Sequence, residues 1–260
     1  MSLKRLAYLT GLTLASVFPK GRRFFQRYLP DMQMQVAGRI FDLHPRDNYV
    51  DYKIFSYNKL YEGDSLRHLQ ALVKGRRCLM YDVGMNVGLY TVVLAPEMAS
   101  GSKVAGFEPN PVLHPRIEAN LRLNRIDGMV DLHRAAVGEA PGTARLSVNG
   151  QDFGASTLHS SSSRKVIRVI DVPVICLADL AHDWDAYELF LIKIDVEGYE
   201  DAALMPLFER NVARLPDLLL LEIVHEHKWK KPLLAVLADR GYEVIFKGDG
   251  NVLYQRKAMS

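Results

Sequence analysis

Cysteine is nearly absent from this chain. Only Cys78 and Cys176 occur in 260 residues, both with apolar neighbours. That excludes a disulfide framework and reads as two buried, reduced thiols of a cytoplasmic protein. No stretch reaches the roughly 18 apolar residues of a membrane-spanning helix. There is no internal repeat and no extended low-complexity run. His225-Glu226-His227 lacks the i, i+4 spacing of a helical zinc pair. An acid at the Asp195 strand tip could bind Mg²⁺, but no clear set of partner ligands accompanies it, so no metal site is expected. Acidic residues are missing from the first 30 positions, which carry Lys4, Arg5, Lys20, Arg22, Arg23 and Arg27. This segment holds +6 of a net +3, leaving the remaining 230 residues at −3. The basic balance therefore belongs to the tail, and no nucleic-acid partner is expected.

With 48% apolar and 24% charged residues, the chain fits one soluble α/β domain, placed at residues 36–260, behind a basic and apolar N-terminal extension, residues 1–35. Within the extension, Leu6 to Phe18 is mostly apolar and flanked by basic residues. It reads as a helix docked on the domain, as a peripheral membrane contact through residues 1–30, or as a cleaved signal, although Pro19-Lys20-Gly21-Arg22-Arg23 is a poor cleavage site.

The most informative stretch runs from Cys78 to Ala95. An apolar strand leads into Asp82, then Gly84, Asn86 and Gly88 at every second position, then the helix-like Leu89-Tyr90-Thr91-Val92-Val93-Leu94. The glycines let backbone approach a ligand closely, and Asn86 tolerates positive φ. A second strand, Lys103 to Phe107, ends on Glu108, 26 residues after Asp82. An acid at a second strand tip takes ribose hydroxyls in nucleotide-binding sheets. The frame is not Gly-x-Gly-x-x-Gly, and an acid heading the turn would repel a pyrophosphate but suit a cationic amine. S-adenosyl-L-methionine, which carries an amine, a sulfonium and a ribose without phosphate, is the cofactor this pattern favours.

Farther along, Leu113 to Asn124 is helix-like, and Val130 to Val137 reads as a third strand whose small tip, including Ala136, leaves room for a flat ring. Residues 138–165 read as a hairpin and a mobile loop, with Ser160 to Ser163 at its centre; Val169 to Val174 reads as an edge strand because Pro173 cannot donate to a ladder. Leu177 to His182 reads as a short helix. Leu189 to Ile194 is a buried strand ending on Asp195, followed by Glu197 and Glu200 across Gly198. Glu200 either joins the site or favours the next helix's N-terminus. A further buried strand, Leu218 to Val224, precedes His225 and His227, either of which could act as a base. A helix over Pro232 to Arg240 and a closing hairpin, Tyr242 to Phe246 with Asn251 to Gln255, complete the chain.

Asp82-Val-Gly-Met-Asn-Val-Gly-Leu-Tyr-Thr91, Phe107-Glu-Pro-Asn-Pro111, Ile192-Lys-Ile-Asp-Val-Glu-Gly-Tyr-Glu200 and Leu221-Glu-Ile223, in this order, resemble the FkbM family of S-adenosylmethionine-dependent methyltransferases. The resemblance covers roughly residues 40–256, with Tyr61-Glu62 as its lead-in. It implies a Rossmann-like class I methyltransferase fold, a seven-stranded, mostly parallel sheet with a closing antiparallel hairpin. It implies a cofactor site of Asp82, Gly84, Asn86, Gly88, Tyr90, Glu108, Pro109, Asn110 and Ala136, with Asp195, Glu197 and His225 at the transfer site. It also implies O-methylation of a hydroxyl, often on a sugar of a glycolipid, polysaccharide or natural product. Met85 stands where the family usually has Ala, and its bulk would narrow the cofactor mouth. Two other readings stay open on the residues: a nicotinamide-dependent oxidoreductase, against which Asp82 and Asn86 argue, and a non-catalytic cofactor-binding or membrane-contact module.

Overall fold

The computed structural model describes residues 26–158, 166–210 and 212–257. The apolar run Leu6 to Phe18, the expected membrane contact up to residue 25, and Ser160 to Ser163 lie outside the described residues. Among those described, no helix is long and apolar enough to cross a membrane.

The chain opens with a hairpin, β1 (Met32–Val36) and β2 (Arg39–Leu43), paired antiparallel with Val36 opposite Arg39. Its two-residue turn, Ala37-Gly38, has φ of 50° and 78°. Positive φ at both central residues is the turn that matches strand twist. The expected boundary between residues 35 and 36 thus falls inside β1, and Met34 and Val36 are buried in the main core. Two helices follow, α1 (Tyr49–Tyr57) and α2 (Gly63–Val73). The Asn48 side chain caps α1 by accepting the Asp51 N–H at 3.1 Å.

The central sheet is built from β3 (Cys78–Val83), β4 (Lys103–Phe107), β5 (Val130–His133), β9 (Leu189–Ile194), β10 (Leu218–Glu222), β11 (Tyr242–Gly248) and β12 (Asn251–Arg256). Its order is β11-β12-β10-β9-β3-β4-β5. All neighbours are parallel except those of β12, which runs against both β10 and β11. β3 and β9 are buried along their whole length, as apolar strands covered on both faces must be. One face packs on α1, α2, α3 (Leu89–Leu94) and α4 (His114–Leu123); the other packs on α5 (Glu200–Glu209) and α6 (Leu233–Asp239).

The third strand does not run to Val137 as expected. β5 stops at His133, and Ala136–Val137 forms β6 in a separate three-stranded sheet with β7 (Gly142–Asn149) and β8 (Val166–Ile175). β8 is the middle strand of that sheet rather than an edge. It tolerates Pro173 because β6 pairs only with Val174 and Ile175, so at Pro173 the strand has a partner on the β7 side alone. The short helix expected over 177–182 is a single turn, Leu177–Asp179.

Candidate active site

The loop between β3 and α3 takes the backbone shape its residues allow: φ is 73° at Gly84, 54° at Asn86 and 82° at Gly88. The need for glycine at 84 comes from the protein itself. A Cβ there would lie 1.9 Å from the Asp195 carbonyl oxygen, so the ends of β3 and β9 close together only over a bare backbone. Met85 is buried and packs on Gly106 of β4; it does not narrow the cleft, because its side chain turns down into the core.

At the carboxyl ends of β3, β4 and β9 lies a solvent-connected cleft. Gly84, Asn86, Glu108 and Pro109 line one side, Ala135, Ala136 and Val137 form an apolar wall, and Asp195 and Glu197 lie at the far end. Gly154 to Leu158, from the connection between β7 and β8, complete the lining. That connection is tied down: Asn110 Nδ2 donates to the Phe153 carbonyl at 3.0 Å and to Ser156 Oγ at 3.2 Å, while the Phe153 N–H donates to the Asp47 carbonyl at 2.8 Å. Gly154 sits directly on Asn86, where a Cβ would meet Nδ2 at 2.3 Å.

Glu108 is a buried carboxyl at the β4 tip, lining the cleft. Oε2 accepts the Asn86 N–H at 2.8 Å and Oε1 accepts the Asn110 N–H at 2.9 Å. Each oxygen keeps a lone pair for a hydroxyl. Burial raises its pKa to about 7, against the pull of those two N–H groups.

Asp82 is not where the sequence reading put it. It is fully buried, accepts the Thr91 hydroxyl at 2.7 Å and lies 3.6 Å from Lys193 Nζ. It does not line the cleft; the cation it faces is the protein's own. Burial raises its pKa and the Lys193 charge opposes this. Gly88 and Tyr90 are also set back from the cleft. Gly88 is the N-cap of α3, and the Tyr90 hydroxyl donates to Glu62 Oε2 at 2.5 Å. Asn110 serves the loop rather than the cleft. Gly84, Asn86, Glu108, Pro109 and Ala136 are brought together as expected.

Asp195, Glu197 and His225 also converge. Glu197, held at φ 61°, places Oε2 3.0 Å from His225 Nε2. Backbone strain of this kind collects at functional sites. Glu200 is engaged structurally: Oε1 accepts the Val196 and Gly198 N–H groups at 2.9 and 3.1 Å, and Oε2 accepts Trp229 Nε1–H at 2.7 Å. It shapes the turn that carries Glu197.

The sequence reading assigned no role to Lys193, Glu62 or Glu222. Lys193 is buried and donates to the Gly84 carbonyl at 2.8 Å; burial lowers its pKa, but Asp82 and Asp195, first among its acidic neighbours, help to more than offset this. A lone lysine inside an apolar strand was the available signal, since a buried charge requires partners. Glu222, at the tip of β10, offers a carboxylate oxygen within 4.8 Å of those of Asp195 and Glu200. Its Oε2 is buried and reached by no N–H or O–H donor. Burial first, and then the Asp195 charge, push it well above the usual carboxylate range. This grouping supplies the companions of Asp195 that linear spacing concealed, although both Glu200 oxygens are already hydrogen-bonded.

A parallel sheet with one reversed strand second from its edge, and a cleft at the tips of β3, β4 and β9, define a Rossmann-like methyltransferase fold. The chain belongs to the FkbM methyltransferase family: the Methyltransferase FkbM domain matches residues 82–244, more than half of its length. Among solved structures, it is similar to the methyltransferase FkbM of Methylobacillus flagellatus KT at 18% identity and TM-score 0.44, over 70% of this chain and 43% of that one. This chain therefore spans less than half the length of that protein. It is also similar to the precorrin-6y C5,15-methyltransferase of Geobacter metallireducens GS-15, at 13% identity and TM-score 0.43, over 75% of this chain and 89% of that one. The O-methyltransferase of Bacillus cereus, solved with SAH, matches at 13% identity and TM-score 0.38, over 74% and 81%. Among proteins of curated function, no match is found.

Proposed function

We propose that the protein is an S-adenosylmethionine-dependent O-methyltransferase acting on a hydroxyl of a sugar-containing acceptor. The observation that carries the cofactor reading is Glu108, a buried carboxyl at the β4 tip with one lone pair free on each oxygen, beside an apolar wall of small residues. These groups fit an adenosine: Glu108 would hold the ribose hydroxyls, Ala135 and Ala136 would face the adenine, and Gly84 and Asn86 would flank the methionine portion. When bound, the cofactor supplies an electrophilic methyl group, so the protein's task is mainly alignment.

The residues at the far end of the cleft manage the acceptor proton. Asp195 faces the cleft and would take the proton of an attacking hydroxyl. Glu222 beside it would stay protonated, pushed well above the usual carboxylate range by its own desolvation and then by the Asp195 charge. The neutral Glu222 would donate to one Asp195 oxygen and leave the other directed at the substrate. His225 orients Glu197 across their 3.0 Å contact. The acceptor's sugar character rests on the family resemblance; no side chain in the cleft specifies it.

Calorimetric titration of S-adenosylmethionine and S-adenosylhomocysteine into wild type and Glu108→Ala tests the cofactor. Micromolar binding that is lost in the variant supports the reading, and a labelled methyl donor then screens hydroxyl-bearing acceptors. A folded wild type that binds neither molecule would remove the methyltransferase and cofactor-binding readings together and leave only the membrane-contact module.

A further inference from the structure

Asn86 lines the cleft, and its amide has two chemically opposite ends to offer a ligand, a carbonyl oxygen or an N–H2 group. The choice is made from outside the cleft, by Asn48. The two ends of an amide have the same shape, so their partners decide which is which. The Asp51 N–H can only donate, and it donates to Asn48 Oδ1 at 3.1 Å. The other end of the Asn48 amide is therefore Nδ2, which donates to Asn86 Oδ1 at 2.6 Å. With that oxygen engaged, Asn86 is left with Nδ2, which no acceptor takes among the described residues. Gly154, itself part of the cleft lining, lies against this nitrogen and brings no side chain over it.

Asn48 has little freedom to turn. It is buried, and its neighbours are pinned. The Asp47 carbonyl accepts the Phe153 N–H at 2.8 Å and its carboxylate takes Arg116 Nη1 at 2.6 Å, while the Tyr49 N–H donates to Asp152 Oδ1 at 3.2 Å. On the other side of the contact, Glu108 holds the Asn86 backbone N–H at 2.8 Å. Both amides thus stand on anchored backbone. Asn48 precedes residues 82–244, the part of the chain that matches the family domain.

The charge of the cleft gives an outward N–H2 group its use. The lining holds Glu108, Asp195 and Glu197 and, among the described residues, neither lysine nor arginine. Such a lining suits an ammonium and a sulfonium but repels the carboxylate of the cofactor's amino-acid portion. Asn86 is the one side-chain amide in it, and a hydrogen bond to an ionised oxygen is about twice as strong as one between neutral groups. We propose that Asn48 is a positioning residue for cofactor binding: it fixes the Asn86 amide with N–H2 toward the cleft, and that group holds the carboxylate of S-adenosylmethionine. The proposal rests on the methyltransferase reading above.

The test is calorimetry on the full chain with S-adenosylhomocysteine and its decarboxylated analogue, which keeps the adenosine, the sulfur and the amine. Wild type should bind the carboxylate-bearing ligand about tenfold to a hundredfold more tightly. Asn48→Asp, measured at pH 8, puts beside Asn86 a group that accepts but does not donate. Asn86 must then turn Nδ2 toward it and its carbonyl oxygen into the cleft. Most of the advantage of S-adenosylhomocysteine should disappear, with affinity for the decarboxylated analogue unchanged. Asn48→Ser keeps an N-cap oxygen for α1 and withdraws the amide donor; it should lose a smaller part of the same advantage, and it carries the test if the first variant does not fold by circular dichroism. Equal affinity of wild type for the two ligands, an advantage that survives substitution, or parallel losses for both ligands in a folded variant would overturn the proposal and leave the cofactor reading standing. Failure of wild type to bind either ligand would remove both.

Discussion

Because Glu108 titrates near neutrality, its hold on a ribose should depend on pH. A protonated carboxyl has only one oxygen fully available as an acceptor, whereas the carboxylate accepts from both ribose hydroxyls. With its pKa raised to about 7 by burial, Glu108 must lose a proton before binding at acid pH. Every pH unit below 7 then costs about 1.4 kcal/mol of affinity. Between pH 8 and pH 6 the ionised fraction falls about tenfold, and affinity should follow it. The clean probe is 5′-methylthioadenosine, which carries the ribose and adenine without the amino-acid portion. Calorimetry at pH 7 in two buffers of different ionisation enthalpy should report about half a proton released per molecule bound. Glu108→Gln should bind more weakly, release no proton and show a flat pH dependence. Wild-type affinity equal at pH 6 and pH 8, with no proton release, would refute the assignment of Glu108 as a titrating ribose anchor.

Four other parts of the molecule give expectations of their own. On an acceptor found by labelled-methyl screening, Asp195→Asn should lower kcat by about 10²–10⁴-fold with cofactor Kd nearly unchanged. Glu222→Gln should keep most of the turnover and abolish any alkaline fall in the pH profile, while Glu222→Ala should lose turnover; equal rates in the two Glu222 variants would exclude the proton-holding role. Gly154→Ala must push the β7–β8 connection off Asn86, a misfit of about 1–3 kcal/mol, so S-adenosylhomocysteine affinity should fall about tenfold or more and Tm should drop by a few degrees. Asp51 is fully buried, with its pKa raised to about 7 by desolvation and one oxygen unpartnered. A raised folded-state pKa means stability present below the unfolded value, about 4, and lost as pH rises toward 7. Asp51→Asn should therefore gain on wild type by up to about 4 kcal/mol between pH 4 and pH 8 in urea denaturation; a pH-independent difference would show that Asp51 is not held neutral.

Much of the sheet was legible because its strands are apolar runs with polar residues at their tips. Lys103–Phe107 and Leu189–Ile194 are strands with the expected limits, and the alternation of Gly84, Asn86 and Gly88 yields positive φ at each. α1 is hard to read from residue pattern, since it buries Asp51 beside Tyr52, Ile54 and Phe55 and so breaks its apolar period. The transfer of Ala136 to a second sheet was hidden because a change of sheet leaves no mark in a run of small residues. In the site, residue type identified the groups but not their direction. Asp82 and Asp195 both end central strands, yet one faces Lys193 beneath the loop and the other faces the cleft. Glu62, Lys193 and Glu222 come from three distant segments and meet only in the fold.

The most direct test of the central claim is a crystal structure with S-adenosylhomocysteine. The ligand is expected in the cleft at the tips of β3, β4 and β9, with ribose hydroxyls bonded to Glu108, adenine against Ala135 and Ala136, and the sulfur directed toward Asp195. A ligand bound elsewhere, or a cleft still empty at saturating concentration, would contradict it.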